Sequence, residues 1–297
     1  MIKSFEYKKI KFRFINYWNK KWKMGFFIKF SNLKINEGST SINYSQQCFE
    51  GIKCSFFNKK FLVKLKKNSF RFQKTNKKIL SPILSIFNFI IIIYNIIFIN
   101  KKYIPNSKIG YLYIRPLLLG IGKNLGVKNS KKFFFLLYCC PVKNILNNKV
   151  FAITCFFEKN IKNLGSFKLG CNYITDIFNN YNIKINSFDD IIYFKNKFFE
   201  EASTSNLILI FKKKIITNFN KSILPGTNKS NILNFYKKKK YNILNKKISF
   251  NIINNSKILI TCGTAVFIKN FKSILFKNKL VNYKNNFVIK YISLFLK

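Results

Sequence analysis

Lysine breaks into the apolar runs of this chain almost everywhere, so whatever it folds into must keep charge at the surface along its whole length. The 297 residues hold 55 Lys+Arg against 9 Asp+Glu, with no His and a formal charge of +46. A charge of this size usually points to nucleic acid or an anionic membrane. Here the lysines are scattered among Ile, Phe, Asn and Tyr, residues that share A/T-rich codons, and the densest runs are only Lys212-Lys213-Lys214 and Lys237 to Lys240. A solvated surface enriched by codon drift accounts for that pattern better than a nucleic-acid patch. The absence of His removes the usual general base and with it Ser-His-Asp and Cys-His mechanisms. Seven cysteines with no CxxC pair give neither a zinc motif nor a disulfide framework, and they suit a reducing cytoplasm.

The run Ile83–Ile99 is the one membrane candidate. It is interrupted only by Ser85, Asn88, Tyr94 and Asn95 and just reaches the lower limit of a span. Pro82 before it and Tyr103-Ile104-Pro105 after it favour a buried helix instead. Residues 25–65 read as short strands with turns near Gly38 and Asn58-Lys59, followed by helices at 71–79 and 83–99. Strands are expected at 111–119, 133–139, 150–157, 191–195 and 206–211, and helices at 173–181 and after Gly226. The fold class is α+β in two domains: 1–142, a linker at 143–148 within the Pro- and Asn-rich stretch that starts at Pro141, and 149–297. The first 24 residues carry no readable role.

Against this lysine background the rare residue types are the informative ones. Only Arg13, Arg71 and Arg115 break a set of basic residues otherwise made of Lys. An Arg that persists there supplies what Lys cannot, the planar fork for phosphate or carboxylate. The nine acids, Glu50 and Glu201 among them, stand out for the same reason.

Six segments then occur in a fixed order between about residues 40 and 275. They are Tyr44-Ser45-Gln46-Gln47-Cys48-Phe49-Glu50-Gly51, Arg71-Phe72, Tyr113-Ile114-Arg115-Pro116 with Leu125-Gly126-Val127, Lys168-Leu169-Gly170-Cys171-Asn172-Tyr173, Glu201 to Asn206, and Leu224-Pro225-Gly226 with Cys262-Gly263-Thr264-Ala265. Together they resemble the signature of the class IV, fold-type-IV aminotransferases that use pyridoxal phosphate, and the branched-chain amino acid aminotransferases fit best. The resemblance implies a smaller N-terminal and a larger C-terminal domain with the cofactor between them, and a homodimer. It implies exchange of the amino group between Leu, Ile or Val and 2-oxoglutarate through a Schiff base on Lys168.

The same resemblance implies the roles of single residues. Glu201 would face the pyridine nitrogen, Tyr173 the ring's phenolic oxygen, and Thr204 would lie behind the ring. Arg71, Thr227, Asn228 and Thr264 would hold the phosphate at a helix start. Tyr44, Phe49, Gly51 and Tyr113 would form the apolar wall with hydroxyl tips. Arg115 would meet the distal carboxylate, and Thr264 and Ala265 the α-carboxylate. No metal is implied, and neither a membrane nor a nucleic-acid partner.

Several positions depart from the family pattern. Asn43 replaces a His, Cys171 a Gly, Asn228 a Thr and Lys229 an Arg; Ala202-Ser203 replaces a pair ending in Gly, and the Pro expected near Lys269-Asn270 is missing. Rival readings are a D-amino acid aminotransferase or an aminodeoxychorismate lyase of the same fold, and a non-catalytic basic protein that binds nucleic acid. The YIRP and FEG segments argue for the branched-chain pocket.

Overall fold

Two long apolar strands, Gly110–Gly120 and Lys132–Lys143, pair antiparallel from end to end and make the spine of a first sheet. The computed structural model describes residues 5–58, 60–144, 147–156, 159, 163–264 and 267–283. The chain divides into a unit of Met1–Asn144 with Phe167–Cys171, and a second of Ile145–Ser166 with Asn172–Lys297. The division after Asn144 falls inside the segment read as a linker. The return of Phe167–Cys171 to the first unit has no counterpart in the sequence reading.

In chain order the first unit has β1 (Phe12–Asn19), β2 (Lys21–Trp22), β3 (Phe26–Lys29), a short α1 (Thr40–Asn43), β4 (Gln47–Phe49), β5 (Ile52–Phe57), β6 (Lys60–Val63), α2 (Lys66–Lys78), α3 (Ile86–Ile99), β7 (Gly110–Gly120) and β8 (Lys132–Lys143). The sheet runs β2-β1-β8-β7-β5-β6, with β3 on β1 and β4 on β7. Period-two alternation sends β7 and β8 residues to opposite faces. On one face Phe135 meets Phe14 of β1, Phe72 of α2 and Phe89 of α3, ring against ring. The Phe72–Phe89 pair is stacked at 5.1 Å, and such pairs add about 1 kcal/mol each beyond their buried area. The other face of the same strands carries Tyr113, Arg115 and Tyr138.

The run Ile83–Ile99 forms α3. It starts at Ile86 rather than 83, because the Ser85 hydroxyl accepts the Asn88 N–H at 3.1 Å and caps the helix there. Phe89, Ile93, Ile96 and Ile97 are buried on its inner face. Among the described residues no helix is long and apolar enough to cross a membrane.

Three other expectations shift. β1 occupies part of the N-terminal stretch given no role and pairs with β8 from Phe14↔Leu137 to Asn19↔Lys132. β8 continues through Pro141, which lies opposite Leu112. A proline is tolerated there because the β1 pairing has already ended, so its missing N–H faces no second strand. α2 starts five residues before the expected 71, at Lys66. Its buried face is mostly polar, so no apolar stripe marks its beginning.

The second unit has β9 (Asn147–Cys155), α4 (Ile174–Ile185), β10 (Asp190–Lys195), β11 (Phe198–Ala202), β12 (Asn206–Ile210), β13 (Lys214–Thr217), α5 (Thr227–Lys238), β14 (Asn242–Asn245), α6 (Phe250–Asn254), β15 (Ile258–Cys262), β16 (Lys269–Phe276) and β17 (Lys279–Asn282). The strand order is β11-β10-β9-β16-β15-β12-β13-β14, and β11 also pairs with β12, which closes a ring. The closing pair is Glu201↔Asn206. β12 reads NLILI because both its faces are buried. Leu207 and Leu209 join Val150, Phe199 and Phe271, while Ile208 and Ile210 pack with Ile232, Leu233 and Tyr236 of α5. Each such side chain contributes about 1.5–3 kcal/mol by leaving water.

Candidate active site

In the first unit the Lys168 segment is pinned on both sides. The Lys168 N–H donates to Thr75 Oγ1 of α2 at 3.3 Å. Its carbonyl accepts the Phe49 N–H at 3.2 Å, and Leu169 bridges to Cys48. The Lys168 ammonium nitrogen then stands 4.8 Å from the centroid of the Phe49 ring. The Arg115 guanidinium lies 4.5 Å from the same ring and 5.1 Å from that of Tyr113. Its Nη2 donates to the Tyr113 hydroxyl at 2.8 Å. Buried Arg115 Nε has no hydrogen-bond partner among the described residues, and none of their carboxylates pairs with this guanidinium. A Cβ on Gly51 would sit 2.3 Å from the Tyr113 hydroxyl, which explains why the FEG segment ends in Gly. Tyr44 is partly exposed, and its hydroxyl donates to the Leu125 carbonyl.

Arg71 is buried on α2, and its fork is engaged by Glu50. Nε donates to Oε2 at 3.2 Å, and Nη2 donates to Oε1 at 2.7 Å and to Oε2 at 3.0 Å. Asn68 Nδ2 adds a bond to Glu50 Oε2 at 2.9 Å. The inner stripe Asn68, Arg71, Thr75 and Asn76 of α2 thus grips the FEG segment and the Lys168 backbone. Scarcity of acids singles out Glu50 in the sequence. Nothing there singles out Asn68 or Thr75.

In the second unit Glu201 is buried. Its Oε1 accepts Lys159 Nζ at 3.2 Å and its Oε2 accepts Asn206 Nδ2 at 3.2 Å. Lys159 and Asn206 were not legible as site residues. Burial opposes the Lys159 charge, but Glu201 and Asp176 outweigh it and hold the ammonium above its ordinary range. Tyr173 follows at the end of a 3-10 turn, Gly170–Tyr173. Thr204 is exposed on the turn between β11 and β12.

Thr227 opens α5, whose N-cap Gly226 makes no side-chain cap and whose first turn holds no acid. A Cβ on Gly226 would lie 1.9 Å from Asn206 Oδ1, so the backbone there approaches as only Gly allows. Asn228 Nδ2 donates to the Gly263 carbonyl at 2.6 Å and ties this helix start to the Gly263-Thr264 segment. Lys229 is fully buried, with Nζ on the Asn218 carbonyl at 2.7 Å and 3.7 Å above the Phe219 ring. Burial brings its amine down to about 8. Ala265 lies outside the described residues.

In the first unit a lysine amine stands against an aromatic ring; in the second, a buried carboxylate and a helix start with no side-chain cap and no acids have the chemistry to meet a cationic ring and a phosphate. The fold belongs with the fold-type-IV enzymes. The branched-chain aminotransferase of Thermoproteus uzoniensis, solved with norvaline, superposes with a TM-score of 0.81 at 16% identity, over 95% of this chain and 93% of that one. A putative 4-amino-4-deoxychorismate lyase from Legionella pneumophila also superposes, with a TM-score of 0.73 at 16% identity over 89% and 94%, so the fold alone does not separate these enzymes. Sequence does. The branched-chain-amino-acid aminotransferase of Helicobacter pylori is 30% identical over 296 residues, covering 95% of this chain and 87% of that protein. The chain belongs to the branched-chain-amino-acid aminotransferase family. No protein-family model matches it.

Proposed function

We propose that this protein is a pyridoxal-phosphate-dependent transaminase that exchanges the amino group between branched-chain L-amino acids and 2-oxoglutarate. The observation that carries the reading is the placement of Lys168 and Arg115 against one ring, Phe49, at 4.8 and 4.5 Å. An amine for the reacting centre and a fork for a carboxylate thereby share an apolar wall, which suits a substrate that is either aliphatic or acidic at its far end. The cofactor, when bound, supplies an electrophilic aldehyde and an electron-withdrawing ring.

In this reading Lys168 Nζ would hold the cofactor aldehyde and move the proton at the substrate Cα. Glu201 would hold the proton on the pyridine nitrogen and Tyr173 would orient the ring through its phenolic oxygen, with Thr204 as a further partner. The Thr227 and Asn228 N–H groups, with Thr264, receive the phosphate at the α5 start. Arg71, whose Nε–Nη2 edge is held by Glu50, is proposed as a further phosphate ligand. Thr264 and Ala265 take the α-carboxylate, and Tyr44, Gly51 and Tyr113 shape the side-chain pocket.

Arg115→Lys replaces the fork by a point charge. The expected result is a loss of kcat/KM for 2-oxoglutarate of roughly tenfold to a hundredfold, with a much smaller loss for L-leucine in steady-state assays. Equal losses would remove Arg115 from the distal-carboxylate role. Activity with D-alanine and none with L-leucine would favour the D-amino acid aminotransferase reading instead.

We also infer a homodimer, or a higher assembly, working in the cytoplasm. Ile174, Ile177, Phe178, Tyr181 and Ile185 form one exposed stripe along α4, at helical spacing, and Phe178 is 64% exposed. Phe178→Glu should shift sedimentation toward the monomer. An unchanged sedimentation coefficient would show that this stripe is not the contact.

A further inference from the structure

Among the described residues four acids are buried, Glu50, Asp176, Asp190 and Glu201. Glu50 has Arg71 and Asp190 has Lys269, each as a close ion pair. Glu201 and Asp176 both reach Lys159. Lys159 Nζ lies 3.2 Å from Glu201 Oε1 and 3.7 Å from Asp176 Oδ2, and it donates to the Ala202 carbonyl at 3.0 Å. Asp176 enters from the inner face of α4. Its Oδ1 accepts the Tyr193 hydroxyl at 2.8 Å, and that oxygen accepts Asn179 Nδ2 at 3.4 Å. Its Oδ2 has no hydrogen-bond donor among the described residues, so Lys159 is the group it answers to.

The charges decide what this arrangement does. Alone with Glu201, Lys159 would neutralise it, and a protonated ring would meet a carboxylate already matched and a cation beside it. With Asp176 ionised, these three groups carry one net negative charge; buried Lys229 of α5 also interacts with Glu201, and Glu201 is the member proposed to face the ring. We infer that Asp176 is a positioning residue which, by balancing Lys159, keeps the Glu201 carboxylate available to a protonated pyridine nitrogen. The inference rests on the cofactor reading of Glu201 given above.

The balance depends on pH. Burial pushes the Asp176 carboxyl up to about 7, against the pull of Lys159 and the Tyr193 hydroxyl, with Glu201 and Asp190 adding to the rise. Asp190 is itself held by Lys269, and Asn179 touches the cluster only through Tyr193. Above that pH the cluster has its net negative charge. Below it Asp176 takes a proton and Lys159 turns wholly to Glu201. The folded chain also keeps this proton where the unfolded chain has lost it. The acid therefore costs stability as pH climbs from about 4, its ordinary range, to about 7, and no more beyond.

The test is equilibrium dialysis of pyridoxal phosphate against the full chain at pH 8, with the nitrogen-15 shift of a labelled ring nitrogen and the melting temperature of the cofactor-free protein. Asp176→Asn should weaken binding about tenfold or more, since one unit of proton affinity at the ring is tenfold, and should move the ring nitrogen toward its unprotonated shift. The double variant Lys159→Met/Asp176→Asn removes the competing cation as well and should restore both readouts. A merely structural role gives no such rescue, and its absence overturns the inference. Native-like binding by Asp176→Asn, beside weakened binding by Glu201→Gln, overturns the role of Asp176 and leaves that of Glu201 standing. Native-like binding by both variants removes the cofactor reading of Glu201 itself. If Asp176→Asn does not fold, Tyr193→Phe takes its place: it withdraws the donor to Asp176 and should weaken binding in the same direction, and native-like affinity there overturns the inference.

Discussion

Lys168→Ala should lower turnover by about four orders of magnitude or more while leaving the protein folded. The loss is large because one side chain serves as the anchoring amine and as the acid–base group at the substrate Cα, and general acid–base catalysis alone is worth about 10²–10⁴-fold. The fold should survive because the backbone, not the side chain, ties this segment down. The Thr75 hydroxyl holds the Lys168 N–H and the Phe49 N–H holds its carbonyl, and alanine keeps both. Unfolding curves should coincide with the native ones within about 1 kcal/mol, and free pyridoxal phosphate should still bind. Retained turnover would place the reacting amine on another lysine.

Glu50→Ala should produce the largest loss of stability of any change considered for the first unit. The Arg71 guanidinium is buried and gives Glu50 three hydrogen bonds between 2.7 and 3.2 Å. Removing the carboxylate breaks a buried, hydrogen-bonded ion pair from one side, which typically costs about 3–5 kcal/mol. Asn68 Nδ2 loses an acceptor at the same time. The melting temperature should fall by about 10 °C. Glu50→Gln keeps acceptor capacity and should fall between Ala and the native protein. A melting temperature within about 2 °C of native for Glu50→Ala would show that the pair contributes little, as exposed pairs do.

The sequence was legible where drift left a rare residue or a fixed spacing. Arg115, Glu201 and the Gly226 helix start stood out for that reason, and so did the Phe49-Glu50-Gly51 segment. Strands β7, β8 and β12 were legible as apolar runs, and α3 from its proline and its length. The missed features share a physical cause. Lys159 is one lysine in a chain crowded with them, and only burial against Glu201 distinguishes it. α2 and α4 turn polar residues inward, Arg71 and Thr75 in one and Asp176 and Asn179 in the other, so their functional faces break the apolar periodicity that marks a helix. On α4 the apolar stripe lies outward. The missing proline near residue 269 read only as a departure, whereas Lys269 there gives the buried Asp190 its cation at 2.6 Å. The return of Phe167–Cys171 to the first unit depends on hydrogen bonds to Thr75 and Phe49, which no local pattern announces.

The absorbance spectrum of the purified protein with pyridoxal phosphate, taken before and after L-leucine and again after 2-oxoglutarate, decides whether Lys168 carries the cofactor through both half-reactions. The expected result is a visible band from the protein-linked cofactor that L-leucine bleaches and 2-oxoglutarate restores, and that Lys168→Ala never forms. A protein that forms no such band, or whose band ignores L-leucine, would contradict the assignment of a branched-chain transaminase.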